Sequence, residues 1–299
     1  WEWFKKESLK EFNRIYDTLE IKFDTMIGES HFEKELKSVV RDLQDKKIAE
    51  IGERGAIIVK LDKQNLPPAM IQKSDGASVY LTRDIAVLKY RIREYNPERI
   101  IYVVGNEQTL QFQQFFATAE MLGWNQAKLI HVKYGLVLGE DKKKLSTREG
   151  KIVHLEDLID KSIKLAGEIV QKKNPEISKT EKEKIARTVG IGALKYHMLK
   201  EHRNTDIVFD WNKMLDLAGN SGPYLQYTYA RLVSIVNKAG RPGILDWLSG
   251  VDFTQLKEEV ELQLIKHLIE FPDIIENSAE MYLTNNLALY LYELANLAN

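Results

Sequence analysis

The 299-residue chain contains no cysteine, which removes disulfides, thiolate metal ligands and a cysteine nucleophile together and fits a reducing compartment. Proline is scarce at 7 residues and glycine at 17, so collagenous, low-complexity and long disordered organisations are excluded. Neither charge is in excess: 43 Lys+Arg stand against 44 Asp+Glu, a formal net charge of -1. A nucleic-acid partner must therefore be argued from local patches. No apolar run reaches the roughly 18 residues of a membrane span, and Trp1-Glu2-Trp3-Phe4-Lys5 does not have the form of a signal peptide. The expectation is a soluble, cytoplasmic protein with no membrane partner. What is present is an ordinary globular composition, 44% hydrophobic and 29% charged, on a chain long enough for about two domains.

At the N-terminus, Trp1, Phe4, Phe12, Ile15, Tyr16 and Leu19 recur at helical spacing with no capping residue before them. At the other end, Tyr282, Leu283, Leu287, Tyr290, Leu291, Leu294 and Leu297 carry an apolar stripe almost to Asn299 without a stop signal. The expectation is a fragment cut inside two helices, with fraying at natural ends as the alternative.

Between the ends, residues 1–47 read as two helices separated by the extended Ile21-Lys22-Phe23-Asp24 and the turn Gly28-Glu29-Ser30. Gly55 to Leu61 reads as a strand, and Pro67-Pro68 ends any helix. Tyr80-Leu81 reads as extended, with Thr82 capping a helix that carries Ile85, Leu88 and Ile92. Ile100 to Val104 is a buried strand, residues 108–122 a helix, and Lys128 to Val132 a second strand. That rhythm predicts a parallel α/β sheet, whose ligands lie beyond the strand C-termini. Past residue 154 no strand is expected. Helices are predicted over 155–173, from a capping box at Ser178 and Glu181 to about 202, from Gly222-Pro223 to about 238, and twice more after Asp252 and Pro272. The boundary between the α/β part and the all-helical part falls near 176–180.

Two polar clusters carry the chemistry. In the first, Lys73-Ser74-Asp75-Gly76 precedes Tyr80, Thr82, Arg83 and Asp84, and Gly105-Asn106-Glu107-Gln108 follows the buried strand. A phenol, a carboxylate and an amide at a strand C-terminus suit a cationic, hydrogen-bonding ligand. The structural alternative has Asp84 complementing a helix dipole and Tyr80 in the core. In the second, Lys142, Lys143, Lys144 and Arg148 place four cations within seven residues, in a loop that ends at Gly150. They could neutralise transferred phosphates or touch a nucleic-acid backbone, or form a solvated charge run. Residues 125–174 hold 11 Lys+Arg against 7 Asp+Glu, whereas 252–299 hold 2 against 9, so the basic surface is local. The histidines at 31, 131, 154, 197, 202 and 267 show no metal-ligand spacing, and no structural metal is expected. His131 is the one histidine placed at the end of a buried strand. Tyr224, Tyr227 and Arg231 share a helix face, with core packing as the favoured role. No nucleophile elbow or Gly-rich phosphate loop occurs.

In order along the chain, Phe23-Asp24 with Gly28-Glu29-Ser30, Lys73 to Gly76, Tyr80 to Ala86, Tyr102 to Gly105 with Glu107-Gln108, and His131-Val132 with Gly135 resemble the blocks of class I aminoacyl-tRNA synthetases of the arginyl type. Gly190 to Tyr196 and Ser221 to Leu232 resemble the start of that family's helical anticodon-binding region. The resemblance implies an α/β fold: the second half of a Rossmann-like parallel nucleotide-binding sheet, then an all-α bundle. It implies residues 1–73 as a connecting segment of the catalytic region, 74–178 as the nucleotide-binding part, and 179–299 as an incomplete anticodon-binding domain. The implied activity is ATP-dependent formation of arginyl-adenylate and transfer of the arginyl group to the 3′ end of tRNA(Arg). The partners would be L-arginine, ATP with Mg2+, and tRNA(Arg), and the protein a monomer.

Carried over by motif, Tyr80, Asp84 and Gln108 would hold the arginine side chain, and His131 and Val132, with Lys144, would bind ATP. Lys144, Ser146 and Arg148 would be catalytic, as the counterpart of the KMSKS signature that steadies the phosphates. Two departures stand out. The signature's second lysine is Thr147, which leaves Lys142, Lys143, Lys144 or Arg148 to supply the charge. No His-Ile-Gly-His-like tetrad occurs, so the chain by itself is expected to be inactive. The rivals are a non-catalytic tRNA-binding paralogue and another class I synthetase.

Overall fold

The computed structural model describes residues 1–139, 154–240 and 252–299. Contacts divide the chain into two compact units, Phe23–Tyr134 and a second that joins Trp1–Lys22 to Gly135–Asn299. The first helix, α1 (Glu2–Thr18), therefore packs with the C-terminal part of the chain, a grouping that no local pattern announces.

The Phe23–Tyr134 unit opens with a 3-10 segment, Glu29–Glu35, and α2 (Leu36–Asp45). An antiparallel sheet follows, β1 (Ala49–Ile51), β2 (Ile57–Val59) and β3 (Ala69–Gln72), in that spatial order. α3 (Tyr80–Tyr95), β4 (Arg99–Gly105), α4 (Thr109–Met121) and β5 (Lys128–Tyr134) complete it. β4 and β5 pair in parallel, Arg99 against Lys128 through Gly105 against Tyr134, as the alternation of helix and strand predicts. The core joins Leu43, Val59, Leu61 and Ile71 to Ile85, Leu88, Phe112 and Phe115.

Two local expectations are corrected here. Tyr80-Leu81 is not extended: the helix begins at Tyr80, with Val79 extended before it. Thr82 is not the cap, because its hydroxyl donates to the Ile71 carbonyl of β3 and so satisfies a buried acceptor. β4 is buried on one face only. Ile100, Tyr102 and Val104 point inward, while Ile101 and Val103 are 45% and 65% exposed, because α3 and α4 cover a single side of this two-stranded sheet.

In the other unit, β6 (Val137–Leu138) pairs in parallel with β7 (Ile207–Val208), which corrects the expectation that strands end before residue 154. Two-residue strands carry no readable periodicity; these are held by the flanking bonds from Ile207 N to Leu136 O (2.8 Å) and from Phe209 N to Leu138 O (3.1 Å). α5 (Leu155–Lys173), α6 (Lys179–Leu199), the short α7 (Trp211–Met214) and α8 (Gly222–Lys238) follow. Ser178 and Ser221 cap α6 and α8 by accepting from the amides of Glu181 and Tyr224, each at 3.2 Å. α6 stops at Leu199 rather than near 202. Past residue 252, three helices stand where two are expected, Glu259–Ile269, Phe271–Met281 and Thr284–Ala298, since Tyr282 turns left-handed (φ 55°) and ends the second of them. The N-terminal stripe is graded: Trp1, Phe4 and Phe12 are exposed, Ile15 and Tyr16 half-buried, and Leu19, just beyond α1, buried. No helix among the described residues is long and apolar enough to cross a membrane.

Two glycines let the helices of this unit touch. A Cβ on Gly190 of α6 would lie 2.7 Å from the Ile163 Cα of α5, and one on Gly222 of α8 would lie 2.7 Å from the Gly192 carbonyl oxygen. Ser162 of α5 seals the first contact by donating to the Gly190 carbonyl at 2.7 Å. Gly190→Ala is expected to destabilise the protein by about 1–3 kcal/mol through overpacking against backbone that cannot yield, measured by denaturant titration.

His197 of α6 is buried, its ring packed against Phe209 at 5.4 Å between centroids. Burial first, then the Lys200 charge, push its pKa below the ordinary 6.5, against weaker opposing pulls from the Val208 backbone, Glu201 and Asp210. The unfolded chain then binds the extra proton first. The stability held by neutral His197 is full above about pH 6.5 and is lost as pH falls from there through the folded value. His197→Leu should flatten the pH dependence of the melting temperature between pH 7 and 5; an unchanged slope would rule His197 out as its source.

Candidate functional site

α3 has 16 residues and β4 has seven. At about 1.5 Å per helical residue and about 3.3 Å per strand residue, they span roughly 24 Å and roughly 23 Å. Only residues 96–98 join them, so α3 runs back along β4 and its N-terminus comes level with the strand's C-terminal end. β4 leads through the 3-10 turn Asn106–Gln108 into α4. The N-terminal ends of α3 and α4 thus come together beyond the C-terminal end of a parallel strand, the place where such sheets bind ligands. A hydrogen bond ties them there: Gln111 Nε2 donates to Asp84 Oδ2 at 3.1 Å.

Tyr80 and Asp84 are four residues apart on α3 and share a face. Gln108 immediately precedes α4, three residues from Gln111. The sequence-predicted trio is thereby brought to one edge, although among the described residues no hydrogen bond joins its members to one another. Tyr80 is 70% exposed, which overturns the core alternative for it. Gln108 is exposed and Asp84 half-buried. The dipole alternative for Asp84 also fails, because it is the fifth residue of α3 and no acidic residue occupies the first turn, where the dipole acts.

Burial pushes the Asp84 carboxyl above the ordinary 3.8; the Gln111 hydrogen bond opposes this, Glu29 adds to it, and Arg91 opposes it. Arg83 does not join the site, since it leans on Glu29 and Glu33 at 3.8 and 3.7 Å. Lys73 to Gly76 closes on itself as the turn between β3 and α3: Gly76 N donates to the Lys73 carbonyl at 3.0 Å, and Ala77 N to Asp75 Oδ1 at 2.9 Å. The edge therefore offers a recessed carboxylate, an exposed phenol and an exposed amide. That set suits a flat cation rich in N–H donors.

His131 is corrected in position. β5 runs on to Tyr134, so His131 is the fourth of its seven residues and lies opposite Tyr102, not at the strand's end. Its ring stacks on Phe112 (4.4 Å between centroids), and its Nε2–H donates to the Val104 carbonyl at 3.1 Å. Val132 is half-buried beside it, opposite Val103. Lys144, Ser146 and Arg148, with Lys142, Lys143 and Thr147, lie outside the described residues. Tyr224 and Arg231 of α8 reach the last helix and its end, at Asn296 (2.6 Å) and Asn299 (3.2 Å), whereas Tyr227 is 56% exposed and so not core.

Sequence reasoning missed Gln111, Arg91 and Tyr102. The Tyr102 side chain is largely buried, its ring lies 5.3 Å from the Arg91 guanidinium, and its hydroxyl feels the charges of Arg91 and Asp84. The signal for Gln111 was its three-residue spacing from Gln108. Gln113 and Gln114 in the same run obscured it, and Gln114 serves a different end by donating to the Pro67 carbonyl at 2.9 Å.

Residues 1–211 match the family model described as tRNA synthetases class I (R), catalytic domain, and residues 225–299 match the DALR anticodon binding domain. The chain is 42% identical over 301 residues to an arginine--tRNA ligase of Clostridium botulinum (strain Langeland), covering 100% of this chain and 52% of that protein. It is 45% identical over 269 residues to the arginine--tRNA ligase of Clostridium perfringens, covering 90% of this chain and 46% of that protein. The chain thus spans about half the length of these curated relatives. Among solved structures it resembles the arginyl-tRNA synthetase of Plasmodium falciparum, with a TM-score of 0.83 and 29% identity over 99% of this chain and 50% of that one. The fold is also that of the Thermus thermophilus arginyl-tRNA synthetase, with a TM-score of 0.81 at 24% identity over 99% of this chain and 56% of that one.

Proposed function

Because the chain belongs to the arginyl branch of the class I tRNA synthetases, we propose that the protein carrying it is an arginine--tRNA ligase. It activates L-arginine with ATP, accompanied by Mg2+, and passes the arginyl group to the 3′ end of tRNA(Arg). The arginine carboxylate attacks the α-phosphorus, pyrophosphate leaves, and a terminal ribose hydroxyl of the tRNA then takes the acyl group and releases AMP. No protein nucleophile is consumed, so the work of the chain is positioning and electrostatics.

In this reading Asp84 faces the guanidinium, and Tyr80 and Gln108 flank it. His131 and Val132 line the adenosine side, Lys144, Ser146 and Arg148 attend the phosphates, and residues 225–299 contact the anticodon region. The observation that carries the substrate is Asp84 itself, a half-buried carboxylate set between two helix starts at a strand's C-terminal end. A planar fork of N–H donors is the cation that fills both of its oxygens at once.

Asp84→Asn in the whole protein should raise the arginine KM by roughly 30-fold or more, with a smaller change in kcat. About 2 kcal/mol or more is lost when one partner of a desolvated charge pair is removed. An unchanged KM would sink the side-chain assignment. The activity is proposed for the whole protein. The chain alone should not charge total tRNA with arginine, and adding the remaining half should restore ATP-dependent charging. A whole protein that binds tRNA yet charges nothing would favour the non-catalytic paralogue.

A further inference from the structure

We propose that Gln111 is a positioning residue for substrate recognition, its side-chain amide holding the Asp84 carboxylate from the neighbouring helix in the orientation in which it meets the arginine guanidinium. The proposal rests on the arginine reading of the site and extends it to a residue that touches no substrate. Gln111 Nε2 to Asp84 Oδ2, at 3.1 Å, is the hydrogen bond that reaches this carboxylate among the described residues, and it comes from α4 while Asp84 belongs to α3. The two helices are thus locked to each other at the ligand edge by the group that receives the ligand.

The geometry divides the labour of the carboxylate. Gln111 takes one direction at Oδ2, which sets the rotation of the carboxyl plane, and Oδ1 and the second lone pair of Oδ2 stay available to a donor fork. Gln111 lies one turn beyond Gln108 on the same helix start, so a shift of α4 would move a flanking amide and the carboxylate's tether together. The hydrogen bond has a second effect. Burial and Glu29 both favour the neutral acid, and Gln111 and Arg91 oppose them. An amide N–H aimed at the carboxylate stabilises its charged form, the form that a guanidinium needs.

The test uses the whole protein with Gln111→Met, which keeps the length and removes the donor, and Gln111→Glu, which sets a second carboxylate against Asp84. The readouts are arginine KM and kcat in tRNA charging from pH 5.5 to 8, with the Asp84 carboxyl titration followed by carbon NMR. In Gln111→Met the arginine KM should rise about tenfold at pH 7, as for loss of a hydrogen bond to a charged group. The acid limb of kcat/KM should move to higher pH, kcat at saturating arginine should change little, and the melting temperature should hold. Gln111→Glu should shift the acid limb further in the same direction. A Gln111→Met protein with wild-type KM and wild-type pH profile would overturn the proposal, as would a loss confined to kcat or explained by unfolding. If the unsubstituted protein does not use arginine, the substrate reading falls. The Asp84 titration then still decides Gln111: a titration moved to higher pH in Gln111→Met supports the hold, and an unmoved one overturns it.

Discussion

The in-register parallel pairing of β4 with β5 is the constraint on which the candidate site depends. Parallel strands cannot be joined by a hairpin, so the chain must cross over between Gly105 and Lys128, and α4 is that crossing. The crossing has to begin where β4 ends. It delivers Gln108 and Gln111 to the C-terminal edge of the sheet whatever their chemistry. α3, laid back along β4 through a three-residue link, delivers Tyr80 and Asp84 to the same edge. The inward side chains of β4 hold both helices down. Tyr102 meets Phe112, Phe115 and Phe116 with ring centroids 5.3 to 5.7 Å apart, within the range of favourable aromatic pairs.

Much of this was legible in the sequence because it rests on patterns spanning many residues. Ile100 to Val104 and Lys128 to Val132, with a helical period between them, specify a parallel unit, and the ordered motif blocks specify which one. What escaped was set by partners distant in sequence. Thr82 looks like a cap by local rules, yet its hydroxyl serves a carbonyl on β3. Tyr80 looks like core, yet it projects into solvent at the rim. His131 looks like a strand end, because the two polar residues after Val132, Lys133 and Tyr134, disguise the continuation of β5. The pairing of β6 with β7, and the packing of α1 with residues beyond 134, are contacts between segments that share no pattern at all.

The second compact unit adds close backbone approach to its buried core of Ile159, Leu194, Phe209 and Met214. Ser162 and Gly190 bring α5 and α6 together, and Gly222 rests on the Gly192 carbonyl to bring α8 against α6. This gives the Gly190 to Tyr196 and Ser221 to Leu232 stretches a physical meaning that their motif resemblance lacks. Their small residues are points where backbones touch, and the capping serines fix where the helices start. Tyr196 adds a polar tie, donating to Asn220 Oδ1 at 2.6 Å with the Ala288 carbonyl 3.0 Å away, so that α6 is linked to the last helix.

On the proposed arginine reading, Asp84 carries two demands that pull in opposite directions. Burial strengthens its attraction for a guanidinium by lowering the local dielectric, but the same burial favours the protonated acid, which cannot pair with that cation. A fully buried carboxylate would lose its charge before ligand arrived, and a fully exposed one would gain about as little as a surface ion pair. The half-buried position on α3 is a compromise between them, and it works only if something other than the ligand supports the charge in the empty site. Arg91, one further stretch along α3, does so at a distance, while Gln111 does so by contact and without competing for the guanidinium, because an amide donor is neutral. A lysine or arginine in place of Gln111 would hold the charge more strongly but would neutralise the carboxylate proposed to select the substrate.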